Sequence, residues 1–290
     1  MKHLAVINRK CFNRKSKRQR SDLIKYLTGT LKADIKFSEH PDHAYQILKD
    51  GNEYDVIVSV GGDGTIHEIV NSIDLEKQSV MIMPIGGGNT LAHELNITNE
   101  SIKKPDTFKN IKIDLMKCTF TSNNEEKTKY AFSTTGVGLF AKACAMTNEK
   151  LKFLGPLGYF IAGIIYLFSN KPFHAAICID DYPTEKKILN HVFINNTKNV
   201  ASFLYFPDAE LDDGVFDGVV TYANNFKMFI FMLGTSPGKI FYRPFSYKKM
   251  KKIDLIFDEP KALMLDGEIY PNVSKINYSI CKQKLKIQLK

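Results

Sequence analysis

Residues 56–73 read VIVSVGGDGTIHEIVNSI, and the order of their parts decides the fold. Val56 to Val60 is an apolar run of the kind found in a strand covered on both faces. Three glycines around one aspartate interrupt it, after which Ile66, Ile69, Val70 and Ile73 recur on one helical face. Thr65 and Glu68 stand at capping-box spacing. Gly61 to Gly64 is therefore expected to be a strand-to-helix turn. Its glycines let backbone approach a ligand, and its helix-start N–H groups suit phosphate oxygens. A tight turn with no ligand explains one or two glycines. It leaves the carboxylate of Asp63 without a purpose, whereas in a phosphate site a carboxylate holds Mg²⁺ or a hydroxyl.

Working outward, VMIMPIGGGNTLAHEL at 80–95 repeats the pattern: a strand from Val80 to Met83, then Gly86, Gly87 and Gly88, then Asn89 as the N-cap of a helix carrying Leu91 and Leu95. Two such loops on neighbouring strands suggest two walls of one nucleotide cleft. Neither has the lysine of a GxxxxGK[ST] phosphate loop, and neither is the dinucleotide fingerprint GxGxxG. Upstream, Leu4–Asn8 and Ile35–Phe37 read as strands; Leu23, Ile24, Leu27 and Leu31 recur at helical spacing, and Ala44–Leu48 opens a further helix. This β-α alternation implies a parallel sheet flanked by helices, whose ligands bind outside the carboxyl ends of the strands.

The second half changes character. Short β-rich runs at Tyr130–Thr134, Ala175–Ile179, His191–Asn195, Val219–Tyr222, Ile253–Phe257 and Leu285–Leu289 are interrupted by one helical region from about Ala141 to Ser169. Thr119–Lys129, TFTSNNEEKTK, reads as a hairpin loop near the boundary. The expected organisation is an α/β domain over residues 1–116 and an antiparallel β domain with a helical insertion over 117–290.

The bulk numbers narrow the function classes. A chain of 290 residues with 44% hydrophobic and 24% charged residues is globular, and its length suits two domains. Forty Lys and Arg against 31 Asp and Glu give a formal charge of +9, favouring a nucleotide, a nucleic acid or an acidic membrane surface as partner. The five cysteines, Cys11, Cys118, Cys144, Cys178 and Cys281, are scattered without a CxxC pair, which argues against a disulfide framework and a zinc site. Leu4–Ile7 is too short for the core of a signal peptide. The most apolar segment, Phe153–Phe168, holds a proline and three glycines and falls short of the ~18 residues a bilayer span needs. It is expected to be a buried helix, with a lipid-touching helix as the alternative.

GGDGTIHEIVN together with PIGGGNTLAHEL resembles the catalytic domain shared by diacylglycerol, sphingosine and ceramide kinases, and most of all the small bacterial lipid kinases of the diacylglycerol kinase family. The likeness continues through TTGVGLFAKACAMTNEKLKFLGPLGYFIAGI, FPDAELDDGVFDGVV and LDGE at 265–268, in family order. GGDGT by itself is shared with NAD kinase and phosphofructokinase-like relatives.

The resemblance implies a Rossmann-like three-layer α/β domain followed by an antiparallel β-sandwich, with ATP and Mg²⁺ as cofactors. It places the nucleotide on Asn8, Ser38, Gly61, Gly62, Asp63, Gly64, Thr65, Ile66, His67 and Glu68, with Gly87 and Asn89 opposite. It makes Glu268 the general base that takes the proton of a lipid hydroxyl, and puts Asp63, Asp114 and Asp266 in the acidic network around the catalytic Mg²⁺. A structural Mg²⁺ is implied at the LDDG loop, on the carboxylate of Asp213 and the carbonyls of Glu210 and Val215; the residues alone read equally as an acidic turn. The early family loop NPxSG is here NRKCF, and the second loop carries Thr90 where bacterial members have Asp. GNTLA and the His67-Glu68 pair are nearer the sphingosine kinase form.

The expected activity is ATP-dependent phosphorylation of the primary hydroxyl of a diacylglycerol-like lipid. A sphingoid-base or ceramide kinase, an NAD-kinase-like enzyme and a non-catalytic lipid binder are the alternatives. The expected setting is cytoplasmic with peripheral membrane contact, without a nucleic-acid partner and with room for a homodimer. The basic clusters Arg14–Arg20 and Lys248–Lys252 are either solvated faces or contacts to anionic lipid.

Overall fold

The computed structural model describes residues 1–49, 53–98, 109–151, 154–169, 171–200, 204–222 and 247–289. The chain forms two compact units, Met1–Ile113 with Gln283–Lys290, and Asp114–Lys282.

In the first unit, β1 (His3–Asn8) leads to the short helix α1 (Arg9–Asn13) and to α2 (Lys17–Lys25), which begins on a complete capping box between Ser16 and Gln19. Next come β2 (Asp34–Ser38), α3 (His43–Leu48), β3 (Val56–Gly61), α4 (Asp63–Val70), β4 (Ser79–Pro84) and α5 (Thr90–Glu94). The strands pair in parallel in the order β2-β1-β3-β4. All six residues of β3 are buried. Val56, Val58 and Val60 join a core with Phe12, Leu27 and Leu31, and because side chains alternate along a strand, Ile57 and Ser59 are buried on the opposite face.

The second unit begins within β5 (Lys109–Ser122), which pairs with β6 (Glu125–Ala131). The expected hairpin loop at Thr119–Lys129 is almost wholly strand. Only Asn123 and Asn124 turn, both at positive φ, because two asparagines meet the left-handed requirement of a two-residue hairpin and leave the flanking threonines free to pair. There follow β7 (Thr134–Gly138), α6 (Leu139–Met146), α7 (Pro156–Ser169), β8 (Phe173–Ile179), β9 (Glu185–Asn195), the short pair β10 (Asn199–Val200) and β11 (Leu204–Tyr205), β12 (Phe216–Tyr222), β13 (Tyr247–Met250), β14 (Lys252–Leu265) and β15 (Glu268–Leu289).

The helical insertion splits a strand. β9 pairs with β7 over His191–Asn195 and with β8 over Glu185–Leu189, and β14 pairs with the same two strands, β7 over Leu263–Leu265 and β8 over Ile253–Phe257. β7 and β8 are thus two halves of one strand, with α6 and α7 inserted between them. The chain leaves at Gly138, φ 82, where a Cβ would lie 2.5 Å from the Asn190 carbonyl. The sequence division at 116/117 left residues 117–290 together. In the structure Gln283–Lys290 returns to the first unit, because Ile287 and Gln288 of β15 pair in parallel with Val80 and Met81 of β4, and Lys284 and Lys286 both bind Glu76.

Candidate active site

The carboxyl ends of four adjacent parallel strands carry the expected nucleotide residues of the first unit. Asn8 ends β1 opposite Ser38 of β2, and Gly61 ends β3 opposite Pro84 of β4. Asn8 is the N-cap of α1: its Oδ1 accepts the Cys11 N–H at 3.0 Å, while its Nδ2 lies 3.4 Å from Thr65 Oγ1. The altered loop NRKCF is therefore this short helix, and Arg9 leaves it to pair with Glu39 at 2.9 Å and to cover the Phe37 ring at 3.5 Å. Ser38 is buried and donates to the His40 carbonyl at 3.4 Å.

The two glycine loops interlock. The N–H groups of Ile85 and Gly86 both reach the Gly61 carbonyl, at 2.9 and 3.0 Å. A Cβ on Gly86 would stand 2.5 Å from the Gly62 Cα, so the backbones touch where side chains are absent. A Cβ on Gly87 would meet nothing within 4 Å, so the loop pair is crowded on one side and open on the other.

Asp63 ties them together. Its Oδ2 accepts the Thr90 N–H at 3.0 Å and its Oδ1 the Leu91 N–H at 3.4 Å, so it caps α5 from 27 residues away. Asn89 occupies the N-cap position of α5 at φ 54 but makes no capping bond; its Nδ2 binds the Gly86 carbonyl instead, and its buried Oδ1 has no hydrogen-bond partner. The capping box expected at Thr65 and Glu68 is likewise absent. α4 starts three residues earlier, at Asp63 with Gly62 as N-cap, which frees Glu68 to accept the Ala44 N–H at the start of α3 at 2.9 Å. Ile66 and His67 are buried, and the Ile66 N–H is taken by the Gly62 carbonyl at 3.2 Å.

In the second unit the DGE motif is a two-residue hairpin turn. Leu265 pairs with Glu268 across Asp266 and Gly267, at φ 47 and 97. Its tip is clamped twice. The Asp266 carboxylate accepts the N–H groups of Phe132, Ser133 and Thr134 at 3.0, 2.9 and 3.0 Å, and the Asp266 N–H returns to the Thr134 carbonyl at 2.7 Å. On the other side the Gly267 carbonyl accepts from Asn148 Nδ2 at 2.8 Å and Cys144 Sγ at 3.3 Å. Glu268, the next residue, is exposed. Asn148 carried no signal in the sequence, since a single Asn in a helical stretch looks like surface.

Asp114, expected beside the catalytic ion, is wholly buried and holds the LDDG loop: its Oδ2 accepts the Gly214 N–H at 2.6 Å and its N–H reaches the Leu211 carbonyl at 2.7 Å. Asp213 of that loop pairs with Lys249 at 2.6 Å and accepts the Val215 N–H at 3.1 Å. Both its oxygens are engaged, and the loop does not fit a Mg²⁺ ion. Lys249 had read as one member of a basic cluster. Among the described residues no three His, Cys, Asp or Glu side chains converge as a metal cage. A Mg²⁺ ion arriving with a nucleotide would rest mainly on phosphate oxygens, with one or two carboxylates at most.

Residues 2–118 match the diacylglycerol kinase catalytic domain. The chain carries a diacylglycerol kinase catalytic domain and is a lipid kinase. It is 27% identical over 244 residues to the diacylglycerol kinase of Staphylococcus carnosus, covering 81% of this chain and 76% of that one. Identity to the Bacillus subtilis diacylglycerol kinase is 29% over 226 residues, covering 74% and 72%. Identity to sphingoid long chain base kinase 4 of Schizosaccharomyces pombe is 24%, covering 82% and 64%. A crystal structure of a diacylglycerol kinase from Bacillus anthracis matches with a TM-score of 0.68 at 16% identity, over 100% of this chain and 97% of that one, a likeness of fold alone. Membership of a kinase family implies use of ATP.

Proposed function

We propose that this kinase transfers the γ-phosphate of ATP to the primary hydroxyl of a diacylglycerol-like lipid, with a Rossmann-like α/β domain holding the nucleotide and a β-sandwich domain presenting the acceptor. The interlocked glycine loops are the observation that carries the nucleotide half. They offer backbone close to an open space at Gly87, at the strand ends where ligands of parallel sheets bind. Phosphoryl transfer asks the protein for positioning and charge neutralisation. Mg²⁺ entering on ATP supplies the latter when bound. Asp63 keeps the two loops in register, and Glu268, exposed on a turn fixed from both sides by Asp266 and Asn148, takes the proton of the attacking hydroxyl. The names of the bacterial relatives support diacylglycerol as acceptor. A sphingoid base is the second reading, favoured by the name of the yeast relative and by GNTLA and His67-Glu68.

Labelled ATP and a total lipid extract, with the phosphorylated products separated, will identify the acceptor. Glu268→Gln is expected to lower turnover by about 10²–10³-fold at unchanged melting temperature. Wild-type turnover in that variant refutes the assigned role.

Access to a lipid in a bilayer needs no spanning helix, and among the described residues none is long and apolar enough to cross. Leu157, Ile165 and Phe168 share one exposed face of α7, Phe168 at 74% exposure, with Lys150 and Lys171 exposed beyond its ends. This face supports peripheral contact with an anionic surface. Flotation with anionic vesicles is expected to weaken in Phe168→Ser. Equal flotation with neutral vesicles would remove the charge from the argument.

A further inference from the structure

The loop to which the family resemblance assigns a structural Mg²⁺ already contains a cation of its own. Lys249 Nζ lies 2.6 Å from Asp213 Oδ2, and the contact is prepared by the sheet. β13 pairs antiparallel with β12 so that Lys249 stands directly opposite Asp217, whose side chain is 2% exposed. From that register Lys249 reaches past the strand to the loop preceding it.

A second lysine crowds the same loop. Lys282 lies across Gly214, its Nζ 2.5 Å from the point a Gly214 Cβ would occupy, and Gly214 itself is at φ 76. From beneath, Asp114 fixes the Gly214 N–H. A divalent ion at Asp213 would therefore have to displace a hydrogen-bonded ammonium and then sit beside one or two lysines, with like-charge repulsion replacing an attraction already made. Of the implied ligands it would be left with the backbone carbonyls of Glu210 and Val215, because both Asp213 oxygens are taken, Asp212 is exposed and no three His, Cys, Asp or Glu side chains converge among the described residues.

We propose that the ammonium of Lys249 takes the place of a divalent ion in the Glu210–Val215 loop by pairing with Asp213, so that this loop is shaped without metal. Asp213 and Lys249 are positioning residues here, and the readout is metal binding and stability in the absence of nucleotide.

The test uses the full chain free of nucleotide, with Mn²⁺ as probe and free ion counted by electron paramagnetic resonance, alongside thermal unfolding in Mg²⁺ and in EDTA. The wild-type melting temperature is expected to be the same in both buffers, and any Mn²⁺ it binds should be unaffected by Asp213→Asn. Lys249→Met leaves Asp213 without its ion-pair partner. Its melting temperature should fall by roughly 3–8 °C in EDTA and recover in Mg²⁺. It should bind one Mn²⁺ at least about tenfold tighter than wild type, and lose it in Lys249→Met/Asp213→Asn. A wild-type chain that binds one Mn²⁺ and loses it in Asp213→Asn overturns the proposal, as does a folded Lys249→Met that gains no ion. Should Lys249→Met fail to fold in either buffer, the wild-type and Asp213→Asn pair decides alone.

Discussion

Asp63-Gly64 in the first unit and Asp266-Gly267 in the second are the same dipeptide set to different geometry. Asp63 opens a helix, and its carboxylate reaches across to the Thr90 and Leu91 N–H groups, holding one glycine loop against another. Asp266 sits at positive φ in a hairpin turn and gathers three consecutive N–H groups at Phe132, Ser133 and Thr134. In both places the charge of the motif aspartate is spent on backbone donors, beside open backbone at Gly87 in the first unit and an exposed carboxylate at Glu268 in the second. The difference lies in redundancy. The first clamp is backed by backbone bonds between the loops, from Ile85 and Gly86 to Gly61. The second is backed by one backbone bond, from the Asp266 N–H to the Thr134 carbonyl, and by Asn148 and Cys144 on the Gly267 carbonyl.

Acid gives the largest separation between them. Thr134, held by Asp266, begins β7, and the other end of β7 pairs with His191, a fully buried histidine with neither ring nitrogen hydrogen-bonded. Burial lowers its pKa to about 3. The unfolded chain takes up this proton below about pH 6.5 and the folded chain does not. Stability from this group is therefore complete above 6.5 and falls by about 1.4 kcal/mol per pH unit down to about 3, some 5 kcal/mol in all. Amide exchange should show protection at Phe132–Thr134 failing before that at Thr90 and Leu91 as the pH is lowered. His191→Leu should flatten the dependence; an unchanged slope in that variant would show that another group drives it.

Asp266→Ala comes next. It leaves three N–H groups without their acceptor at a turn that still needs left-handed backbone, and should cost about 3 kcal/mol in urea unfolding. Asp266→Asn retains one oxygen, suited to the Ser133 and Thr134 donors that share Oδ1, and should cost about 1 kcal/mol. Equal losses in the two variants would mean that charge, rather than the number of acceptors, holds the tip. Asp63→Asn should be milder still, near 1 kcal/mol or below, because the loops keep their backbone bonds.

These clamps mark where the sequence could and could not be read. Strands β1, β3 and β4 were legible because each buries an apolar run on both faces and ends in a turn signal, a local property, whereas the edge strand β2 alternates with Asp34 and Lys36 exposed. The glycine loops were legible as loops for the same reason. The partners of Asp63, Asp266 and Asp114 were not, since the donors are backbone N–H groups 27 to 134 residues away, and every residue but proline offers one. The capping boxes show the limit from the other side: Ser16 with Gln19 forms one, whereas Thr65 with Glu68 has the spacing and loses Glu68 to α3. The return of β15 to the first unit was equally hidden, because its last residues read as one more apolar strand and nothing local says which sheet they extend.

The finest test lies within one loop. Gly86 and Gly87 are adjacent and spelled alike, yet a Cβ on Gly86 would press on the Gly62 backbone at 2.5 Å while one on Gly87 would enter open space. Gly86→Ala must push the loops apart and should cost about 1–3 kcal/mol. Gly87→Ala should change stability by less than about 0.5 kcal/mol, with a slight gain if the unfolded chain loses freedom. If that open space receives the phosphates of ATP, the methyl group of Gly87→Ala will raise the KM for ATP several-fold in a protein that melts like wild type. Calorimetric titration with a non-hydrolysable nucleotide would separate the two outcomes. A fold left intact and a nucleotide turned away would make Gly87 a contact surface and Gly86 a packing constraint. Unchanged nucleotide affinity would move the phosphate site off this loop and onto the start of α4.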